Sequence, residues 1–195
     1  NTMYHVMLCL SSHQQDTAVI SHKPDHPFRS WRSGARFVQG QNVAVYKQPP
    51  PQPIIATIEH GDEGMMAEFW DSPVPLMTKK LFEVLREAGV DNLDSYQAEI
   101  HEKSTGKIYD NYVSFNIVGA VSAADLHNSS FDSETPALIS RDFDSLAISE
   151  DATRSLLCFR LAESVNAIIV HEKVKHHIES SGINTLTFLR PEQWA

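Results

Sequence analysis

The spacing of hydrophobic residues changes within the stretch from Pro75 to Gly119. Before Gly89 the apolar positions recur at intervals of three and four, with charged residues between them, as on a helix that buries one face. Thr78 is a typical N-cap, and Gly89 tolerates the left-handed conformation that ends many helices. The pattern predicts an amphipathic helix over about 78–88. Its buried face comprises Leu81, Phe82, Val84, Leu85 and Ala88.

After Gly89 the period becomes two residues, which is typical of a half-buried strand. Tyr96, Ala98 and Ile100 alternate with polar residues, and the loop 103–107 contains a glycine. A second strand follows, with an apolar face made of Tyr109, Val113, Phe115 and Ile117. We predict a β-hairpin, and we expect the apolar faces of both strands to pack against the predicted helix.

Elsewhere the chain alternates between short strands and loops. The segment from Tyr4 to Leu10 is apolar on both faces, which predicts a central strand. A second helix is predicted over about 171–181, ending at Gly182, with Ile183 in the position that contacts the last turn. The fold class predicted is α+β, with a largely antiparallel sheet packed by two principal helices. Further strands are predicted at 42–46, 54–59, 137–140, 146–149, 155–161 and 186–188.

The length of 195 residues suits one globular unit. The proline run 49–53 is too stiff for a helix and donates few backbone hydrogen bonds, so it marks a boundary. We predict an N-terminal strand and irregular segment over 1–52, belonging to the same unit, and an α+β domain over 53–195. Phe28 and Trp31 are expected to anchor the irregular segment to the body.

Composition indicates a folded protein that does not span a membrane. Hydrophobic residues make up 42% of the chain and charged residues 21%, which argues against disorder. No apolar run approaches the roughly 18 residues of a membrane span, and the apolar N-terminus lacks the features of a secretory signal. We predict a cytoplasmic protein with no membrane partner. Cys9 and Cys158 lie in apolar runs and are expected to be free thiols.

The net charge of −9 is distributed unevenly. Residues 1–50 contain five basic and two acidic groups, so the remainder carries −12. An acidic surface repels nucleic acid and attracts basic partners, so nucleic acid is not expected as a partner. Two acidic clusters in predicted loops are the candidate binding residues: Glu59, Asp62, Glu63, Glu68 and Asp71 in the first, and Asp132, Glu134, Asp142, Asp144, Glu150 and Asp151 in the second.

Catalytic and metal-binding motifs are weak or missing from the sequence. There is no glycine-rich phosphate loop and no G-x-S-x-G motif. His171 and His176 are five residues apart, whereas a zinc-binding helix needs histidines four apart on one face. His22, Asp25 and His26 leave open a small metal-dependent hydrolase as an alternative. We expect no catalytic residue, no cofactor and no metal.

The order of elements from Pro75 to the C-terminus resembles the bacterial polymorphic-toxin immunity proteins, a family first catalogued as a domain of unknown function and typified by a myxobacterial immunity domain. The motifs that carry the resemblance are hydrophobic and structural. They are Leu76–Lys79 before the helix, Gly89–Asn92 after it, the strand 96–100, Tyr112–Val118, Cys158–Leu161, Ile168–Val170 and the closing helix. The sequence departs from the family pattern at Thr185, where the family tends to have glycine.

The resemblance implies a cytoplasmic protein that binds a cognate bacterial toxin and neutralises it stoichiometrically. It transfers no catalytic residue. Applied to this chain, it makes the two acidic clusters candidate toxin-binding residues, which would mimic phosphate if the toxin is a nuclease. A non-catalytic adaptor with a different protein partner is a further alternative. The oligomeric state and the identity of the toxin are left open.

Overall fold

A computed structural model describes residues 3–9, 17–22, 28–121, 130–131, 143–145, 156–162, 164 and 166–194. Within these ranges the strands are β1 (Tyr4–Leu8), β2 (Ile20–Ser21), β3 (Ile54–Ile58), β4 (Phe69–Trp70), β5 (Leu76–Thr78), β6 (Leu93–Glu102), β7 (Ile108–Tyr109), β8 (Tyr112–Ile117), β9 (Ala120–Val121), β10 (Ser130–Phe131), β11 (Phe143–Ser145), β12 (Cys158–Leu161), β13 (Ile168–His171) and β14 (Thr187–Leu189). The α-helices are α1 (Lys79–Glu87) and α2 (Glu172–Ser180), and short 3₁₀ helices cover Phe28–Trp31, Val45–Lys47 and Pro191–Gln193.

The described strands form two main sheets. The larger sheet has the order β2-β3-β6-β8-β5-β4, with β7 also paired to β6, and the smaller one has the order β14-β1-β13-β12-β9. Pairing is antiparallel except between β3 and β6 and between β9 and β12. The predicted α+β class with a largely antiparallel sheet is confirmed.

Both predicted helices are present, and their ends have the expected local causes. The Thr78 hydroxyl accepts a hydrogen bond from the Leu81 amide at 3.1 Å, and Gly89 follows α1 with a φ of 103°. In α2 the His171 ring nitrogen Nδ1 accepts from the Lys173 amide at 3.0 Å, which makes His171 the N-cap. These side chains occupy backbone groups that have no partner within the helix.

The predicted hairpin is confirmed, but the expected packing of its first strand is wrong. Directly opposed residues of an antiparallel pair lie on the same face of the sheet. Tyr96 of β6 is opposite Ser114 of β8, whereas Phe115 is opposite Ser95. The face of β8 that contains Phe115 packs against α1, and Tyr96 and its neighbours in β6 therefore face the other side. Tyr109, which was predicted on the same face as Phe115, is opposite Ile100 and packs with the cluster that contains Tyr96. Sequence periodicity thus identified most of each apolar face but not their relative register.

The larger sheet is consequently buried on both sides. We call the side packed by the helices the helix-covered side; it includes Met77, Leu81, Leu85, Phe115, Ile117, Val174 and Ile178. We call the opposite side the aromatic side; it includes Trp31, Phe37, Ala98, Ile100 and Tyr112. A third cluster lines the other face of the smaller sheet and includes Tyr4, Val6, Phe159, Leu161 and Ile169.

Predictions for the remaining elements have mixed outcomes. β1 pairs with both β13 and β14, so its predicted central position is confirmed. The strand predicted at 42–46 is wrong. There, Val45–Lys47 is a 3₁₀ helix, and the Lys47 carbonyl accepts from the Val38 amide at 2.8 Å in a compact loop. The strands predicted at 137–140 and 146–149 lie outside the described residues.

The N-terminal segment contacts the rest of the chain extensively. β1 is part of the smaller sheet, and the predicted anchor Trp31 is buried against Tyr96 with ring centroids 5.8 Å apart. The side chain of Phe28, the other predicted anchor, is outside the described residues. The boundary proposed at residue 52 stays a prediction. Among the described residues, no helix combines the length and the apolar character needed to cross a membrane.

Candidate functional site

Two acids of the first predicted cluster are exposed on the loop that follows β3. The Glu59 carboxylate receives two hydrogen bonds from the Lys103 ammonium, at 2.8 and 2.9 Å. Glu63 is exposed in the same loop. Because both partners in the Glu59 pair are solvated, the pair adds little stability, and both carboxylates are accessible to another molecule.

Asp62 and Glu68 are bound within the fold. The Asp62 carboxylate accepts from the amides of Val19 and Gly64, each at 2.8 Å, and these bonds lower its pKa. The Glu68 carboxylate accepts from the hydroxyls of Thr78 at 2.6 Å and Thr185 at 3.2 Å. Both acids therefore hold loops in place, a role that sequence reasoning did not predict.

Asp71 is the centre of a largely buried ion cluster. One carboxylate oxygen lies 2.6 Å from Arg160 Nη2, and the other lies 2.9 Å from Arg160 Nη1 and 3.2 Å from Arg32 Nη2. The Arg160 side chain is fully buried. Burial lowers the pKa of Arg32, whereas the nearby Asp71 raises it.

This cluster joins three parts of the chain. Asp71 follows β4 of the larger sheet, Arg160 belongs to β12 of the smaller sheet, and Arg32 follows the 3₁₀ helix Phe28–Trp31. Arg32 also donates to the side chain of Asn166. The two arginines are distant from Asp71 in sequence. The sequence therefore shows no basic residue near the first acidic cluster, although Asp71 is paired in the fold.

The second acidic cluster is mostly outside the described residues. This holds for Asp132, Glu134, Asp142, Glu150 and Asp151, while only the backbone of Asp144 is described, within β11. Contact between either cluster and a partner stays a prediction.

The histidines of the two weak metal motifs have other contacts. His22 Nδ1 lies 2.9 Å from the Ile55 carbonyl, and Asp25 and His26 are outside the described residues. His171 caps α2, and His177 Nε2 lies 3.3 Å from a Glu87 carboxylate oxygen. Among the described side chains, no group of three or more His, Cys, Asp or Glu residues is arranged to hold a metal ion.

A concave apolar surface lies in the segment between the first 3₁₀ helix and the proline run. It encloses a cavity of about 530 Å³. We call it the valine–tyrosine groove, and its apolar lining comprises Ala35, Phe37, Val38, Val43 and Tyr46. Val38 is 53% exposed and Tyr46 is 51% exposed, so large apolar side chains face solvent beside the cavity.

The walls of this groove are held by contacts on several sides. Phe37 is buried, and its ring centroid lies 4.9 Å from Trp31 and 5.7 Å from Tyr96 in edge-to-face geometry. The Ala35 carbonyl accepts from Asn116 Nδ2 at 2.9 Å. The Val43 carbonyl accepts from Gln48 Nε2 at 2.7 Å. The groove segment thus packs against the aromatic side of the larger sheet.

Gly34, in the groove segment, lies very close to the backbone of Gly119 and Ala120. Gly34 has a φ of 78°, which L side chains rarely adopt. Its carbonyl accepts from the Gly119 amide at 2.7 Å, and a Cβ on Gly34 would lie only 2.6 Å from the Ala120 nitrogen. Only glycine permits this contact, which ties the groove segment to β9.

The segment that forms the groove has a charge opposite to that of the whole chain. Residues 26–58 contain four Lys and Arg residues and no Asp or Glu, so this segment carries +4. The rest of the chain carries −13, which gives the net charge of −9. Lys47 and Arg36 line the groove, Lys47 with its ammonium 5.8 Å from the Tyr46 ring centroid. Sequence reasoning predicted an irregular segment followed by a strand at 42–46, and it missed the groove although the absence of acids was visible.

These observations define an α+β protein with a sheet buried on both sides, an acidic loop and a basic apolar groove. The profile of the immunity protein family Imm11 matches residues 13–192. The chain therefore belongs to the Imm11 immunity protein family, and the resemblance inferred from its sequence is confirmed. A comparison with curated proteins found no match.

Proposed function

We propose that this chain is a cytoplasmic immunity protein that binds a cognate toxin and neutralises it by stoichiometric docking. The observation that carries the proposal is membership of the Imm11 family, whose match spans residues 13–192. Such a match covers the groove segment, both helices and most described strands. The proposal therefore concerns the whole fold rather than one motif.

The local chemistry supports docking over catalysis. Burial raises the pKa of the Cys158 thiol to about 12, so this cysteine is protonated and inert at neutral pH. His171 is occupied as a helix cap, and Asp71 is occupied by two arginines. These groups are used to hold the fold together, and the exposed surfaces remain for a partner.

We propose that the exposed acids of the first cluster, Glu59 and Glu63, steer the toxin toward the chain. The second cluster is proposed to do the same: Asp132, Glu134, Asp142, Asp144, Glu150 and Asp151. A surface of one sign raises the association rate with a partner of opposite sign, and salt weakens this effect. If the toxin is a nuclease, the carboxylates would occupy its basic substrate groove in place of phosphate.

The test is co-expression with the C-terminal toxin domain encoded by the neighbouring gene. We expect the chain to restore growth of cells that make this domain and to copurify with it in a 1:1 ratio. A double variant, Glu59→Gln with Glu63→Gln, should lower the association rate at low salt about tenfold. The matched control is Glu83→Gln with Glu192→Gln, which removes two exposed carboxylates from other surfaces.

Two results would contradict the proposal. One is a wild-type chain that neither protects cells nor binds the toxin domain. The other is purified chain with stoichiometric bound metal and a hydrolytic activity that His26→Ala abolishes, which would favour the enzyme alternative.

A further inference from the structure

We infer that the valine–tyrosine groove is the anchoring site for the toxin and receives a toxin segment with one large apolar side chain next to a carboxylate. This inference rests on the proposed function and adds a surface and a partner chemistry to it. The groove is separate from both acidic clusters in sequence, since it lies within residues 30–47.

The size and chemistry of the groove suit a side-chain anchor. Its volume of about 530 Å³ is within the range of small-ligand pockets, and its lining is mainly apolar. Val38 and Tyr46 border it and are half exposed, so a side chain that fills the groove would remove them from water. Fully desolvated pockets of this kind carry most of the affinity in protein interfaces.

The groove is formed before a partner arrives, which favours tight binding. Its floor, Phe37, is fixed by edge-to-face contacts with Trp31 and Tyr96. Its two walls are tied by the hydrogen bond from the Val38 amide to the Lys47 carbonyl. Because these groups are already ordered, binding sacrifices little conformational entropy.

The charge around the groove selects the occupant. Arg36 is paired with Asp94 at 2.9 Å, and Lys47 adds a second cation to the rim. Because the Asp94 carboxylate compensates the charge of Arg36, the attraction for an acidic segment comes from Lys47. A carboxylate beside the anchoring side chain would pair with Lys47.

The two surfaces then have different kinetic roles. Glu59 and Glu63 act on distant basic groups of the toxin and change mainly the association rate. The groove makes close contacts with the bound toxin and changes mainly the dissociation rate. The same toxin would thus present a basic region to the acids and an acidic, apolar segment to the groove.

The experiment measures binding of purified chain to the purified toxin domain encoded by the neighbouring gene. Val38→Asp places a carboxylate in the groove, and Lys47→Glu reverses the rim charge. We expect each variant to weaken binding at least tenfold. Val38→Asp should act mainly through faster dissociation, and Lys47→Glu through both rates because it also reverses a rim charge. The matched controls are Met3→Asp, at a methionine that is 42% exposed, and Lys80→Glu, at an exposed lysine of α1. They should bind within about threefold of wild type.

The outcomes separate this inference from the proposed function. If wild-type chain binds and protects but Val38→Asp and Lys47→Glu behave like their controls, the inference is wrong and the function stands. If wild-type chain does not bind the toxin domain at all, both the inference and the proposed function are wrong. Lys47→Glu decides the matter if Val38→Asp does not fold, since Lys47 is exposed. A wild-type dimer that Val38→Asp converts to a monomer would assign the groove to a second copy and overturn the inference.

Discussion

The two sides of the larger sheet are buried by different means. On the helix-covered side, α1 and α2 pack regular apolar faces against Phe115 and its neighbours. On the aromatic side there is no α-helix among the described residues, and the cover is an irregular segment held by Trp31 and Phe37. The first side follows from periodic sequence, and the second depends on a few large side chains.

This difference explains where a binding surface is available. A helix that packs with its apolar face inward presents charged residues to solvent, as α1 does with Lys79, Lys80, Glu83, Arg86 and Glu87. An irregular segment is not restricted in this way, because its side chains do not follow a fixed period. The valine–tyrosine groove is built on the aromatic side for this reason.

The largest expected effects come from removing one core residue on each side. Phe115→Ala on the helix-covered side and Trp31→Ala on the aromatic side should each reduce the free energy of unfolding by about 3–5 kcal/mol. Phe115 is fully buried and Trp31 is 3% exposed, so both changes leave a cavity. Urea unfolding measures both losses. The exposed Val45→Ala is the control, with an expected change within about 0.5 kcal/mol.

A milder pair tests whether the sides are independent. Ile117→Val and Ile100→Val remove one methylene from opposite sides, at a cost of about 0.5–1.5 kcal/mol each. The double variant should lose the sum of the two values within about 0.5 kcal/mol, because the residues share no cluster. A coupling above about 1 kcal/mol would show that the two sides form one core.

An effect larger than that of either isoleucine variant, and close to that of the two core alanine variants, is expected at the ion cluster that joins the two sheets. Asp71→Asn removes the charge that compensates two buried arginines, and we expect a loss of about 3 kcal/mol in the free energy of unfolding. Chemical denaturation of the variant measures it. Asp110→Asn, at an exposed aspartate, should change stability by less than about 0.5 kcal/mol. Equal stability of the two variants would argue against a structural role for Asp71.

The smallest effect concerns pH and the helix-covered side. His5 is buried in β1, and neither ring nitrogen has a hydrogen-bond partner among the described residues. Burial lowers its pKa, with Lys175 and His176 acting in the same direction and Glu172 and Glu179 in the opposite one. All four of these charged groups are on α2.

The direction of the pH dependence follows from the fact that the unfolded chain binds a proton at this histidine at higher pH than the folded chain does. Below about pH 6.5 the unfolded chain protonates this histidine while the folded chain does not, so the free energy of unfolding falls as pH falls. Unfolding of wild type and His5→Gln at pH about 5.5 and about 7.5 should show a weaker pH dependence in the variant, by at most about 1.4 kcal/mol per pH unit. His60→Gln, at an exposed histidine that is not among the groups acting on His5, is the control. An unchanged pH dependence in His5→Gln would contradict the prediction.

Local patterns were sufficient for the regular elements. Thr78 and Gly89 mark the two ends of α1, and the alternation of apolar residues in 93–117 predicts β6 and β8. Both signals are readable from sequence because caps and periodicity act over a few residues. Local reasoning failed at 42–46, where a strand was predicted. Val45–Lys47 is instead a 3₁₀ helix, in a loop tied across by Val38.

The sequence by itself determined the helices, strands such as β1, β3, β6 and β8, the acidic character and the family resemblance, since each depends on neighbouring residues or on composition. Only the tertiary structure decided that Asp71 is bound by Arg32 and Arg160, which are 39 and 89 residues away. It also decided that Phe37, Val38 and Tyr46 line one groove and that Phe37 packs against Tyr96. These features depend on register and long-range packing, which local periodicity does not encode.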